Sequence, residues 1–163
     1  MKKLYIVRHA KSSWDYPELT DEERPLNKRG KRDAPRMAEH VADKVTCPDV
    51  FVSSHAERAF KTSIEFAKAF GLSEKDITQT SELYHASESA WKRVVSQIND
   101  AHDSAMLFGH NPGITYFVNQ LSRSNIFNIP TCGVAGIALD IDSWQEISNV
   151  RGKLDFYYYP KGI

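Results

Sequence analysis

The chain has 163 residues, and its 21 Lys and Arg residues balance its 21 Asp and Glu residues, so the formal net charge is zero. Domains commonly contain roughly 100–200 residues, and we expect residues 1–163 to form a single domain. The neutral charge argues against nucleic acid or an anionic membrane as the partner, and a hydrophobic content of 41% excludes a disordered chain.

The first apolar run, residues 4–7, is interrupted by Arg8. It is much shorter than the roughly 7–15 apolar residues of a signal-peptide core or the roughly 20 of a membrane span. We therefore expect a cytoplasmic protein. Two cysteines, Cys47 and Cys132, are too few for a disulfide framework. The sequence leaves open whether they form one bridge and whether either matters for function.

Three short apolar runs predict buried strands, at residues 3–7, 49–52 and 105–108. Their apolarity is continuous rather than alternating, which indicates strands covered on both faces, as in a parallel sheet between helices. Each run ends in polar residues, and the first and third end at a histidine.

Helical spacing of apolar residues predicts helices between and after these strands. The predicted helices cover residues 27–45, 56–70, 88–99 and 113–121, and two further strands are predicted at 134–141 and 154–159. Pro35 should kink the first helix or mark a start after Asp33, while Ser54 and Glu57 fit a capping box for the second. The alternating order predicts a three-layer α/β/α sandwich with a mostly parallel central sheet.

The ends of the three apolar strands predict where chemistry occurs. Ligands of open parallel sheets bind beyond the carboxyl ends of the strands, where Arg8, His9, Arg58 and His110 should gather. Guanidinium groups bind phosphate oxygens bidentately, and imidazole can act as nucleophile or donor. Helix N-termini at the same edge add backbone N–H groups. The pattern therefore indicates a site for a phosphoryl group.

Four segments carrying these residues resemble the histidine phosphatase superfamily, whose fold is phosphoglycerate mutase-like. They are residues 4–14, 24–30, 53–62 and 109–113, in the family's order. Ala10 replaces the glycine usual after the Arg-His pair, a variation that SixA-type phosphohistidine phosphatases tolerate. The short chain is also similar to that branch.

The resemblance implies that His9 is the nucleophile and passes through a phosphohistidine intermediate. Arg8, Arg58 and His110 would hold the phosphoryl oxygens, and Ser12 would donate a hydrogen bond to them. Phosphoryl transfer depends mainly on positioning and electrostatics, so we expect no metal and no cofactor.

The sequence does not decide which residue donates a proton to the leaving group. Glu82 occupies about the place of the acid in the phosphoglycerate mutase-like branch, and Asp15 is a second candidate. The sequence also leaves open that neither residue is the proton donor. A phosphohistidine substrate would relax the requirement, since its leaving group is an imidazole. We interpret the other histidines as surface or structural residues; they are His40, His55, His85 and His102. Of these, His55 could touch the rim of the site.

Residues 24–36 contain six basic side chains and one acidic one. Such a run is usually a solvated helix face, but it could flank the site and steer an acidic protein or a phosphate.

The favoured function is a metal-independent phosphatase acting on phosphohistidine in a protein. The alternatives are a phosphatase for small phosphomonoesters and a phosphate-binding module without catalysis. The oligomeric state and the physiological substrate are open. Neither cysteine is followed by an arginine six positions later, and no Walker loop, GxGxxG motif or zinc-spaced set of ligands is present.

Overall fold

The computed structural model describes residues 1–163 and contains one six-stranded sheet and four α-helices. The strands are β1 (Lys2–Arg8), β2 (Val50–Ser54), β3 (Ile77–Thr80), β4 (Ser104–Gly109), β5 (Val134–Leu139) and β6 (Lys153–Tyr158). The helices are α1 (Lys28–Ala42), α2 (Glu57–Ala69), α3 (Glu88–Ser96) and α4 (Gly113–Ser122). None of the helices is long and apolar enough to cross a bilayer.

The sheet has the strand order β3-β2-β4-β1-β5-β6. The four strands from β3 to β1 pair in parallel, whereas β5 pairs antiparallel with β1 and with β6. The predicted α/β fold with a mostly parallel sheet is therefore confirmed. Because β2, β4 and β1 are neighbours, their carboxyl ends meet at the centre of one sheet edge.

Two apolar cores lie on opposite faces of the sheet. Leu4 and Ile6 of β1 belong to the core that contains residues of α3 and α4. Tyr5 and Val7 belong to the other core, together with residues of α1 and α2. Successive side chains of a strand point to opposite faces, so the continuous apolar run of β1 supplies both cores, and the sheet forms the middle of three layers.

Of the two alternatives predicted for Pro35, a start of the first helix after Asp33 is wrong. Helix α1 begins at Lys28, where the side chain of Asn27 accepts a hydrogen bond from the Gly30 backbone N–H at 2.9 Å, and Pro35 lies inside the helix. The asparagine cap therefore determines the start, and Pro35 does not.

Gly30 fits a close approach between α1 and the segment after β1. A Cβ atom at this position would lie 2.1 Å from the carbonyl oxygen of Lys11. The same oxygen accepts a hydrogen bond from the Asn27 N–H at 3.0 Å. The N-terminus of α1 thereby fixes the segment that follows His9.

The predicted capping box of α2 is wrong. Its N-cap residue is Ala56, which provides no side-chain hydrogen bond. The Ser54 hydroxyl instead lies 2.8 Å from Nε2 of His110. The two cysteines, Cys47 and Cys132, are both free.

Candidate active site

A cleft of about 280 Å³ lies at the carboxyl ends of the central strands. Its lining is mainly charged and polar: Arg8, His9, Lys11, Ser12, Trp14, Asp21, Arg24, Arg58, His85, His110, Asn111 and Thr131. The structure thus brings together five of the side chains selected from the sequence, namely Arg8, His9, Ser12, Arg58 and His110.

His9 follows β1 directly and is only 7% exposed. Its Nδ1 atom lies 2.7 Å from the carbonyl oxygen of Ala10. A carbonyl only accepts hydrogen bonds, so Nδ1 carries the proton and the lone pair of Nε2 is free. Burial lowers the pKa of His9 to about 3, and the guanidinium charges of Arg58 and Arg8 act in the same direction. His9 is therefore a neutral imidazole with a free nucleophilic nitrogen at physiological pH.

Two guanidinium groups, that of the half-buried Arg8 and that of the buried Arg58, place positive charge beside His9. Arg8 donates from Nη1 to the carbonyl oxygen of Ile129 at 2.9 Å, and Arg58 donates to the backbone and carboxylate oxygens of Asp21 at 2.6 and 3.0 Å. The Nε atoms of both arginines are buried without a partner. Buried donors normally find partners, so these are available to the oxygens of a bound anion.

His110 completes this group at the end of β4. Its ring centroid lies 5.1 Å from that of His9, and its Nε2 is within hydrogen-bonding distance of Ser54 Oγ. Burial, together with the nearby His9 and Arg58, lowers the pKa of His110 to about 2. His110 is therefore neutral, and its buried Nδ1 has no partner within the protein.

Ser12 is oriented by Arg24. The Arg24 Nη1 atom donates to Ser12 Oγ at 2.7 Å and to the Ser13 carbonyl oxygen at 3.2 Å. A hydroxyl that accepts one hydrogen bond can still donate its own proton. The arrangement suits the role implied for Ser12. The Arg24 guanidinium also lies 3.6 Å from the ring centroid of Trp14, a cation–π contact.

Asp21 is a cleft residue that the sequence analysis did not select. Its carboxylate accepts hydrogen bonds from Arg58, Arg24 and Tyr84. Partial burial would raise the pKa of Asp21, but the hydrogen bonds from Tyr84 and Arg58 outweigh burial and hold it far below its usual range. Asp21 is therefore ionised and orients Arg58. The sequence signal that could have identified Asp21 is its spacing of three residues from Arg24, with which it forms an ion pair.

His85 is the second cleft residue that was missed. Its backbone is in the left-handed region with φ of 47°, a conformation unusual for a residue other than glycine. Its Nε2 lies 3.2 Å from Asp21 Oδ2, and its ring centroid is 5.4 Å from that of His110. The side chain is 54% exposed, so His85 lies between the buried group and solvent.

The two predicted candidates for the proton donor do not line the cleft. Glu82 is exposed and lines a different cavity beside β3 and α3. It lies in the short 3-10 helix Ser81–Leu83, in which Leu83 is buried and Glu82 remains outside. Asp15 is also exposed, and only its backbone N–H is engaged, by Ser13 Oγ at 3.1 Å.

His55 does not reach the cleft either. Its Nε2 lies 2.8 Å from a carboxylate oxygen of Glu22, outside the lining. No cluster of three or more His, Cys, Asp or Glu side chains has the geometry to hold a metal ion. The cationic side chains that line the cleft are Arg8, Lys11, Arg24 and Arg58.

A family model provides the decisive comparison. The model of the histidine phosphatase superfamily (branch 1) matches residues 4–114, which include Arg8, His9, Arg58 and His110. This chain belongs to the histidine phosphatase superfamily. The assignment confirms the family predicted from the four motifs and identifies the protein as a phosphatase, with a phosphorylated compound as its substrate.

Solved histidine phosphatase structures resemble this chain over nearly its whole length. A protein of Agrobacterium tumefaciens provisionally assigned as the phosphohistidine phosphatase SixA is 28% identical, with a TM-score of 0.80 and 98% of each chain covered. A protein histidine phosphatase SixA complexed with tungstate is 20% identical, with a TM-score of 0.81 and coverage of 98% and 97%. This histidine phosphatase is therefore of the SixA type.

A plant protein is also similar to this chain in sequence. An uncharacterized chloroplastic protein of Arabidopsis thaliana is 28% identical over 159 residues, which cover 93% of this chain and 72% of the relative.

Proposed function

We propose that this chain is a metal-independent phosphatase that removes the phosphoryl group of phosphohistidine in a protein, by way of a phosphorylated His9. The neutral His9, with its free Nε2 beside the guanidinium groups of Arg8 and Arg58, carries the proposal. The similarity to a structure named as a phosphohistidine phosphatase supports the substrate class.

The first step transfers the phosphoryl group to the enzyme. The lone pair of His9 Nε2 forms a bond to phosphorus while the bond from phosphorus to the leaving imidazole nitrogen breaks. The electron pair of the broken bond stays on that nitrogen. Arg8, Arg58 and the N–H of neutral His110 bind the phosphoryl oxygens, so the charge that develops in the transition state meets donors already in place.

The second step returns the free enzyme. A water oxygen attacks phosphorus, the bond to His9 Nε2 breaks, and inorganic phosphate leaves. The proton lost by the attacking water is taken up by a general base at the open side of the cleft. The hydrogen bond from Nδ1 to the Ala10 carbonyl keeps His9 in the tautomer that accepts the phosphoryl group in each cycle.

His85 is the proton donor that the cleft supports best. The only carboxylate that lines the cleft, that of Asp21, is held ionised. Burial and the hydrogen bond to Asp21 raise the pKa of Tyr84 to about 12, so its hydroxyl is a poor proton donor. An imidazole can donate a proton from one ring nitrogen and accept one at the other. With one ring nitrogen held by Asp21, His85 can give a proton to the leaving group and accept one from the attacking water.

The substitution His85→Gln tests this role. We expect kcat for alkyl phosphates to fall about 100-fold, which is typical for removal of a general acid. Hydrolysis of p-nitrophenyl phosphate and of a phosphohistidine peptide should fall much less, because nitrophenolate and imidazole are good leaving groups without a proton donor, and one limb of the pH profile for alkyl phosphates should disappear. His55→Gln is the matched control. An equal loss on all substrates with an unchanged pH profile would assign His85 a purely structural role.

Trapping of the intermediate tests the proposed function as a whole. The protein is mixed with a phosphohistidine peptide, quenched in alkali within milliseconds and mapped by mass spectrometry. We expect a base-stable phosphate on His9. Binding of inorganic phosphate without turnover of any donor would instead favour a phosphate-binding module, and a higher kcat/KM for sugar phosphates than for the peptide would favour a small phosphomonoester.

A further inference from the structure

A cavity of about 530 Å³ lies outside the catalytic cleft. Residues of α1, the segment before β5 and the C-terminal segment form this cavity, which we call the basic groove. Its lining consists of Arg29, Arg32, Asp33, Arg36, Pro130, Thr131, Tyr159, Pro160, Lys161 and Ile163. The proposed reaction uses none of its charged groups.

The basic groove adjoins the catalytic cleft. Thr131 lines both cavities, and Arg29 Nη2 lies 3.5 Å from Thr131 Oγ1. A substrate whose phosphoryl group occupies the cleft can therefore extend past Thr131 and contact the arginines of α1. This proximity to the cleft distinguishes the groove from a basic helix face elsewhere on the surface.

The cationic side chains of the groove outnumber its acidic ones. Its one acidic side chain, Asp33, lies 4.0 Å from Arg29 and 3.2 Å from Arg32. Arg36 donates to main-chain oxygens of Pro160 and Ile163, which hold it in place. With Lys161, four cationic side chains thus face one acidic side chain. The groove attracts negatively charged ligands.

The spacing of the cations indicates the size of the ligand. Arg29, Arg32 and Arg36 follow one another at intervals of three and four residues, so they lie on one face of α1. The first and last are about 10 Å apart along the helix axis, at 1.5 Å per residue. A single phosphate or carboxylate contacts one of them at a time, whereas a row of carboxylates along a peptide segment can contact all three.

We propose that the basic groove binds an acidic segment of the phosphorylated protein substrate, next to the residue that carries the phosphoryl group. The proposal rests on the proposed function, since it assumes a protein substrate. The groove then selects among phosphohistidine proteins by the charge that surrounds the modified histidine.

Two synthetic phosphohistidine peptides test the groove, one with four glutamates on each side of the phosphohistidine and one with glutamines there. We expect the glutamate peptide to have a roughly tenfold higher kcat/KM at low ionic strength, mainly through KM, and the preference to disappear with added salt. The double variant Arg29→Gln/Arg32→Gln should abolish the preference. The matched control Arg93→Gln/Arg151→Gln removes the same charge elsewhere and should keep it. Lys161→Gln, a milder change at an exposed residue, should reduce it.

An unphosphorylated glutamate peptide separates the groove from the proposed function. We expect it to inhibit hydrolysis of p-nitrophenyl phosphate, and the arginine double variant to relieve that inhibition. If this inhibition is seen but neither phosphohistidine peptide is hydrolysed, the groove is supported and the proposed function is wrong. Equal kcat/KM values for the two phosphohistidine peptides would overturn the proposal that the groove binds an acidic segment. If citrate inhibits equally strongly and its inhibition also depends on the arginines, the ligand of the groove is a small polyanion and not an acidic protein segment.

Discussion

The substitution His9→Ala is expected to lower kcat on any phosphoryl donor by a factor on the order of 10⁴ or more, because the covalent step then has no nucleophile. His9 is also the group whose Nε2 is left free by the hydrogen bond at Nδ1. Steady-state kinetics on p-nitrophenyl phosphate and on a phosphohistidine peptide measure the loss. Mass spectrometry after an alkaline quench should detect no base-stable phosphate on the variant.

Two controls separate loss of chemistry from loss of structure. His102→Ala removes a half-buried imidazole outside the cleft and should retain activity. His9→Ala should still bind inorganic phosphate, because Arg8, Arg58 and His110 remain. A variant that binds phosphate and keeps more than about a tenth of the activity would eliminate His9 as the nucleophile.

The substitution Arg58→Ala is expected to produce the second largest effect, a fall in kcat/KM of about 10³-fold, comparable to the loss of an oxyanion donor. The side chain is only 2% exposed and holds the backbone and carboxylate oxygens of Asp21. Its removal takes a fixed charge from the transition state and also releases Asp21, whose carboxylate would then repel the phosphoryl group.

Arg58→Lys distinguishes charge from geometry. Lysine restores a positive charge but not the planar fork that holds two acceptors, so we expect a partial recovery, to about 100-fold below the wild type. Arg93→Ala on α3 is the matched control at an exposed site. Thermal unfolding of each variant shows whether the fold is retained. Full activity in Arg58→Ala would contradict its role in the cleft.

The sheet and the motif residues were predictable because their signals are local. The continuous apolar run in β1 reflects burial on both faces, and the polar residues that follow β1, β2 and β4 mark the edge where ligands bind. The strand directions then bring His9, Arg58 and His110 together, although they lie far apart along the chain. Local patterns and one rule of topology were sufficient for this part of the site.

The residues that were missed depend on contacts that no local pattern records. Strand β3 has only one buried residue, Ile77, so its apolar signal is too weak to predict a strand, and His85 beyond its carboxyl end was not placed at the edge. Asp21 begins the short 3-10 helix Asp21–Glu23, and its contacts in the cleft are with Arg58, Arg24, Tyr84 and His85, which are all distant in sequence except Arg24. Ser54 was assigned to a helix cap because its contact with His110 crosses 56 positions of sequence.

The antiparallel strand β5 implies that the motifs alone are insufficient for a working enzyme. It enters the sheet at the edge where β1 ends, and the segment before it supports the catalytic residues through the backbone. The Cys132 N–H donates to the carbonyl oxygens of Arg8 and His9, both at 3.0 Å. Two carbonyl oxygens accept from Arg8: that of Gly133 from its backbone N–H at 3.0 Å, and that of Ile129 from its guanidinium group. A fragment truncated after α4 would keep Arg8, His9, Arg58 and His110 and lose these supports, together with the cover of β1. The catalytic loop would then be free to move, and the side chains that define the family would no longer share one geometry.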